Sequence, residues 1–363
     1  GTRWGLRLSS MRPSPAAQEA ARIFQAMYSN NDEEMTRLAL ATQTVPQCLL
    51  CGSAGKPLYN GLEDRLFNTP GVWDLKKCVN VGCGLVWLDP MPTEKDIGKA
   101  YEDYYTHATE ETQYATTLTN LVIRNSVRGI NFLTFLLGLR RERAKRSVMY
   151  LGNETPGKLL DVGCGSGILL ERMRSRGWDV QGVEVDEKSA KAATVSFGVN
   201  VFSGTVHQAA FPDDYFDAIT LSHVIEHVHE PVVLLKECRR VLRPHGILVV
   251  VTPNVEGQLH ARFGRNWLHL DPPRHLYLFS RISLVRAARQ AGFANVDAGT
   301  TPANAEEAYL ASCNIESSGR HSLPTSAQTM RQCLEATLFQ VWAMMYWKVF
   351  RNRGEEVVLR GSK

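Results

Sequence analysis

The sequence predicts an α/β chain: a mostly parallel sheet with helices on both faces, preceded by a small cysteine-bearing module and helical segments. Two observations predict it. From residue 158 short apolar runs alternate with helical patterns, in the order KLLDVG, DVQGVEV, NVF, DAITLS and GILVVV, and strands alternating with helices imply a parallel sheet. The last two runs are almost continuously apolar, as strands covered on both faces require. The second observation is the stretch LLDVGCGSG (159–167), where three glycines alternate with small residues at the end of the first run. Without a Cβ, the backbone there can pass close to a ligand, and open α/β sheets bind ligands at the carboxyl ends of their strands.

The elements follow in chain order. Residues 14–29 place Ala17, Ala20, Ala21, Phe24, Met27 and Tyr28 at helical spacing. Residues 48–84, rich in Gly and Cys, read as short strands and turns. Residues 93–150 look helical, with an aromatic cluster at Tyr101, Tyr104 and Tyr105. Helix 231–243 opens on Pro231 and stops at Pro244 and Gly246. Helix 281–290 has Ser280 as its N-cap candidate and Gly292 just past its end. Residues 337–350 form another apolar helix, and 354–363 supply a final strand. The expected units are a helical segment (1–45), the cysteine module (46–92), a helical linker or lid (93–150), the ligand-binding core (151–300), and a helical lid with the last strand (301–363).

Composition narrows the function classes. With 363 residues, 44% hydrophobic and 21% charged, this is the profile of a globular protein. A net charge of +4 implies no strong polyanion partner. No apolar run reaches membrane-spanning length, and the arginines at 3, 7 and 12 are not followed by a secretory apolar core. Of eight cysteines, Cys164, Cys238, Cys313 and Cys333 are scattered, which argues for a reducing, cytoplasmic setting rather than a disulfide framework.

A dinucleotide loop expects G-x-G-x-x-G. Here Gly163 and Gly165 fit, but the third glycine falls at 167 and Ile168 stands in its place. Asp161, two residues ahead, would repel a pyrophosphate yet suits a ligand carrying an ammonium and a sulfonium. Glu184 closes the next strand about 20 residues on, the place of a ribose-hydroxyl acceptor.

On these residues the chain resembles the class I S-adenosylmethionine-dependent methyltransferases. The resemblance continues through FDAITLSHVIEHVHEPVVLLKECRRVLRPHGILVVVTPN (216–254) and WLHLDPPRHLYLFSRISLVRAARQAGF (267–293), the latter typical of a bacterial small-molecule subgroup, and covers about 158–300. It implies a Rossmann-like fold with S-adenosylmethionine held by Asp161, Gly163, Cys164, Gly165 and Gly167. It further implies Glu184 at the ribose hydroxyls, Val185 as a further cofactor-binding residue, and Ser222 and His223 beside the methyl group. An Asp that often binds adenine after the third strand is missing; Thr205 stands near that place.

Cys48-x-x-Cys51 and Cys78-x4-Cys83 are two knuckles beside glycines, the arrangement of a structural four-thiolate Zn2+ site. The resemblance agrees, because zinc ribbons precede methyltransferase domains in some natural-product and sugar methyltransferases and in one rRNA-modifying group.

For the chemistry, His223-x-x-Glu226-His227 and His275 of DPPRH gather near the cofactor. One reading is that Glu226 and His227 only cap and orient the turn. A second makes His227 or His275 a general base. A third is a second divalent-metal site from His223, Glu226, His227 and His275, as in related O-methyltransferases with E-x-x-E-H, whose first Glu is His223 here. Asp271-Pro-Pro-Arg274 superficially matches the D-P-P-Y of N-methylating enzymes but follows the wrong strand and lacks the aromatic, so base methylation is rejected. Arg274 is read as binding an acidic substrate group or making a surface ion pair. INFLTFLLGL (130–139) followed by RRERAKR suggests peripheral membrane contact or a helix packing on the core or closing the pocket with 337–350. The sequence therefore favours methylation of a small molecule (a sugar, lipid-linked glycan precursor or secondary metabolite) over an RNA methyltransferase gripping nucleic acid with its ribbon, or a non-catalytic scaffold. Oligomeric state is left open.

Overall fold

The computed structural model describes residues 40–101, 135–321 and 330–363; the helix expected at 14–29, Tyr104, Tyr105 and residues 130–134 lie outside them. The cysteine module comes first. Strand β1 (Thr42–Gln43) pairs with β5 (Met91–Pro92). Between them β2 (Gly55–Leu62), β3 (Trp73–Cys78) and β4 (Val86–Leu88) form an antiparallel meander. Leu75, Leu85, Trp87 and Leu88 are fully buried, with Leu75 and Leu88 on one face and Trp87 on the other. A 3-10 turn, Ile97–Tyr101, follows.

Where 93–150 was expected to be helical throughout, its described residues hold that turn and α1 (Leu139–Arg146). Gly138, at φ 83, starts α1. Past it, Met149 and Tyr150 take left-handed backbone angles of 46 and 57°, which a helix cannot continue through. The described end of the apolar stretch and the later helix of residues 330–349 border one open depression, lined by Leu136, Leu137, Trp347 and Lys348.

The core alternates as expected: β6 (Lys158–Val162), α2 (Ile168–Arg174), β7 (Asp179–Glu184), α3 (Glu187–Phe197), β8 (Asn200–Ser203), β9 (Phe216–Ser222), a 3-10 turn (Ile225–His227), α4 (Pro231–Val241) and β10 (Leu242–Pro253). Helix α4 ends two residues sooner than expected. Pro244 disfavours helical angles in the residue before it, so the chain is extended from Leu242 and joins β9 through a register shift between Leu242 and Ile247. Four consecutive residues of β10, Leu248 to Val251, are fully buried, so both faces of this strand are covered.

Helix α5 (Gln258–Phe263), β11 (Tyr277–Leu278), α6 (Arg281–Gln290), β12 (Ala294–Thr301), α7 (Ala305–Ser318), α8 (Met330–Val349) and β13 (Glu356–Ser362) complete the chain. Ser280 caps α6 through a reciprocal pair with Ser283. Sequence reading missed β12, which buries only Ala298, Thr300 and Thr301, a weak signal; α7 lies in the helical segment expected over 301–363. The seven-stranded sheet runs β12-β13-β10-β9-β6-β7-β8, with β13 antiparallel to both neighbours.

The module and the core share structure. Strand β11 of the core is the edge of the module's sheet, β11-β4-β3-β2, and one hydrophobic cluster holds Trp87 and Leu75 together with Phe279 and Ile225. Among the described residues no helix is long and apolar enough to cross a membrane.

Candidate active site

The glycine loop leaves β6 with all three glycines in the left-handed region: φ 67 at Gly163, 50 at Gly165 and 78 at Gly167. A side chain is strained there, and a Cβ on Gly163 would also sit 2.4 Å from Val224 Cγ2. Nothing lies within 4 Å of the Cβ position of Gly165, so this glycine opens onto free space. Glu184 Oε2 accepts from Gly165 N at 2.8 Å, while Oε1 accepts from Asp186 N at 3.0 Å. Both oxygens keep a lone-pair site, so the carboxylate can fix the loop and still receive two hydroxyls. Asp161 is buried and accepts from Thr220 Oγ1 at 2.7 Å. Burial pushes its carboxyl up to about 7, with Glu184 adding repulsion. A buried acid beside a second carboxylate favours a cationic ligand. These residues fit the ammonium, sulfonium and ribose of S-adenosylmethionine. Cys164 is buried against Gly182, Val185 is exposed beyond β7, and Thr205 is occupied with Gln208 in a local turn.

On the neighbouring strand the chain leaves β9 through Ser222 and His223, the latter at φ 55. Arg146 of α1 donates to Ser222 Oγ at 3.0 Å and pairs with Glu356 of β13. His223 stands between two carboxylates, Nε2 at 2.8 Å from Glu356 and Nδ1 at 3.3 Å from Glu226. Burial opposes its charge, but the two glutamates outweigh burial and push the imidazole up to about 9. Both ring nitrogens of His223 thus face carboxylates, an arrangement that favours the charged imidazole and opposes the catalytic role expected from the sequence.

His227 and His275 behave oppositely. Their rings meet edge to face, 4.6 Å between centroids. Burial, reinforced by His275, brings His227 down to about 4, and burial also lowers His275. His227 Nδ1 lies 3.1 Å from the Arg274 carbonyl and 2.9 Å from Tyr101 Oη. A carbonyl only accepts, so Nδ1 carries the proton and Nε2 keeps its lone pair. His275 Nδ1 faces the His269 carbonyl at 2.8 Å, which leaves its Nε2 as acceptor in the same way. Ligand atoms of Glu226, His227 and His275 lie within 4.8 Å of one another. His223 is not of this group, so the metal set expected from the sequence contracts to three.

Arg274 contradicts both sequence readings. It is fully buried, bonded to Asp64 of the module and to Asp271, and so meets neither substrate nor solvent. Tyr101, Arg146, Glu356 and Asp64 are the site residues that sequence reading missed. Glu356, an acid opening an apolar strand, was the one local signal.

In the module, Cys48 Sγ and Cys83 Sγ are 3.6 Å apart, Cys51 Sγ and Cys78 Sγ 3.4 Å, and all four lie within 4.8 Å. Tetrahedral zinc with bonds of about 2.3 Å separates its sulfurs by about 3.8 Å, so the set fits zinc. Helix α6 backs the knuckles: Gln290 Nε2 donates to the Leu50 carbonyl at 2.7 Å, and Cys83 lifts the Arg286 guanidinium above its ordinary value.

Residues 136–298 match a family described as a methyltransferase domain. Curated relatives include the ubiquinone biosynthesis O-methyltransferase of Thiobacillus denitrificans, 32% identical over 148 residues, 37% of this chain and 63% of that protein. That of Chromobacterium violaceum is 34% identical over 147 residues, with the same two shares. The chain thus spans less than two thirds of the length of these relatives. Among solved structures, an S-adenosylmethionine-dependent methyltransferase from Archaeoglobus fulgidus is 20% identical, covers 62% of this chain and 94% of its own, with a TM-score of 0.42. Residues 136–298 thus carry a methyltransferase-domain match, and the glycine loop and strands β6 to β10 described above lie within it.

Proposed function

We propose that this chain transfers a methyl group from S-adenosylmethionine to an oxygen of a small-molecule acceptor, with His227 as general base. The acceptor class is a hydroxyl-bearing molecule: a sugar, a lipid-linked glycan precursor or a secondary metabolite. The curated relatives, which act on oxygen, support the acceptor atom. The observation that carries the reading is the geometry of His227, whose Nδ1 faces the Arg274 carbonyl and so leaves Nε2 as a proton acceptor, one turn past the strand that adjoins the glycine loop. When bound, S-adenosylmethionine supplies an electrophilic methyl group. Asp161 and Glu184 would hold its cationic and ribose ends. His227 Nε2 takes the acceptor's hydroxyl proton as the O–C bond forms and the C–S bond breaks, then returns it to water. The test is a panel of hydroxylated acceptors read by mass spectrometry, with His227→Ala alongside. Turnover should fall at least a hundredfold in the variant with cofactor affinity retained; equal turnover would remove His227 from the chemistry.

A second reading for the same groups is a divalent ion on Glu226, His227 and His275. It is favoured by Glu226 Oε1, which is buried and receives no well-aligned hydrogen bond. An ion there would acidify the acceptor hydroxyl. Equilibrium dialysis against Mn2+ separates the two: stoichiometric binding lost in Glu226→Gln supports the ion, and no binding leaves His227 as base. The four cysteines are assigned to structural zinc, on the sulfur spacing alone.

A further inference from the structure

We propose that Asp64 of the cysteine module is a positioning residue for the His227–His275 pair, acting through Arg274. This rests on the methyl-transfer reading of the site. Residues 271–278 form a strap between the module and the catalytic turn. On the module side, Leu88 N donates to the Leu276 carbonyl at 2.9 Å and β11 pairs with β4. On the other side, Leu276 N donates to the Glu226 carbonyl at 2.8 Å. Arg274 crosses between them. Its Nη1 and Nη2 bond the two Asp64 oxygens at 2.8 and 2.7 Å, and Nε reaches Asp271 at 3.0 Å. Nη1 also donates to the Ala100 carbonyl at 3.3 Å, next to Tyr101. The Arg274 carbonyl is the acceptor that fixes His227, and His275 N donates to the Asp271 carbonyl at 3.0 Å.

Asp64 is itself held in place. Its carboxylate accepts from the backbone of Leu66, Phe67 and Thr69 at 2.9 to 3.0 Å, and Phe67 lies under the guanidinium at 4.7 Å. A bidentate guanidinium–carboxylate pair specifies geometry as well as binding. A buried ion pair contributes little net stability against an apolar replacement, so its use here is registry. The guanidinium fork sets the Arg274 backbone, and with it the direction of both imidazoles. The module is therefore a wall of the active site.

The test uses the full chain with Asp64→Asn, Asp64→Glu, Arg274→Lys and the neighbouring control Glu63→Gln. Asp64→Asn should lower kcat at least tenfold while zinc content and S-adenosylmethionine affinity stay within twofold, and Asp64→Glu should recover part of the loss. A misplacement of about 1 Å suffices for a loss of this size. Hydrogen exchange supplies a readout independent of turnover. Protection should fall in 269–278 for Asp64→Asn and Arg274→Lys, stay unchanged in 158–185, and stay native in Glu63→Gln. If the wild type methylates no acceptor, the function reading fails while the exchange pattern still decides this one. Native protection in 269–278 would overturn the proposal, and so would a uniform loss across 158–185 and 269–278, which would mean a general structural role.

Discussion

The cofactor loop and the histidine pair sit at the ends of neighbouring strands, yet they are held over very different lengths of chain. Glu184 fixes Gly165 from 19 residues away. His227 is fixed by Tyr101 across 126 residues, His223 by Glu356 across 133, and Arg274 by Asp64 across 210. The electrostatics differ in the same sense. The loop side holds two carboxylates with no basic side chain hydrogen-bonded to Asp161 or Glu184 among the described residues, and awaits a cation from outside. The histidine side carries its own counter-charges: Arg146 and His223 stand against Glu226 and Glu356, and Arg274 against Asp64 and Asp271, whose carboxyl is raised by burial. A recognition site for one constant cofactor can be local and charge-unbalanced. A site that orients a base needs its buried charges matched, and the matching groups come from wherever the fold can deliver them.

The strongest way to break this division is Gly165→Arg. The backbone cost at φ 50 is about 1–2 kcal/mol, which a folded domain tolerates, and the side chain enters the open space where the cofactor belongs. Calorimetric affinity for S-adenosylmethionine should drop at least a hundredfold with 269–278 still protected. If affinity survives, the loop is not the cofactor site.

The division also explains what was readable in the sequence. The glycines, Asp161, Glu184 and the alternation of strands and helices were legible because period and spacing are local. So was the four-cysteine set, as two short knuckles. The fate of Arg274 was not. Within DPPRH nothing distinguishes an arginine that meets a substrate from one that meets Asp64, since the partner lies across a loop 210 residues away. The charge on His223 was hidden for the same reason, because Glu356 arrives only with the last strand. Strand β12 escaped because its small and polar residues carry little apolar period.

Zinc removal should injure one side only. Cys48→Ser with Cys51→Ser abolishes a four-thiolate site, and metal binding there is coupled to local folding. Metal analysis should fall from about one zinc per chain to none, and turnover at least tenfold, through loss of the Asp64 anchor. Cofactor affinity should move less than threefold. A metal-free wild type of full turnover would strike out the zinc assignment. A smaller effect is expected from Glu184→Gln, which keeps an acceptor but loses charge-assisted bonds. Such bonds contribute about 1.5–3 kcal/mol when intact, so affinity should weaken roughly tenfold while kcat at saturating cofactor is unchanged.

The smallest effect, and the one that separates the two histidine roles, lies in pH. His223 has its folded-state value raised to about 9 from the ordinary 6.5. The stability it contributes is therefore complete below about 6.5 and is lost as pH rises through 9. His227 is lowered to about 4, so the unfolded chain takes up its proton first, and stability falls as pH drops from 6.5 towards 4. The contribution of these two histidines to the melting temperature should accordingly be greatest near pH 6.5, read as the difference between wild type and variants because Asp161, raised to about 7, opposes it on the acid side. His223→Asn should flatten the alkaline side, and His227→Asn the acid side. If His227 is the base, kcat/KM should hold level from pH 8 down to about 5 and fall only near 4, where an unperturbed imidazole would already have lost activity below 6.5. With S-adenosylmethionine saturating, so that its bound cation keeps Asp161 ionised, an acid limb centred at 6.5 in the wild type would place the base elsewhere and leave His227 as a structural partner of Arg274.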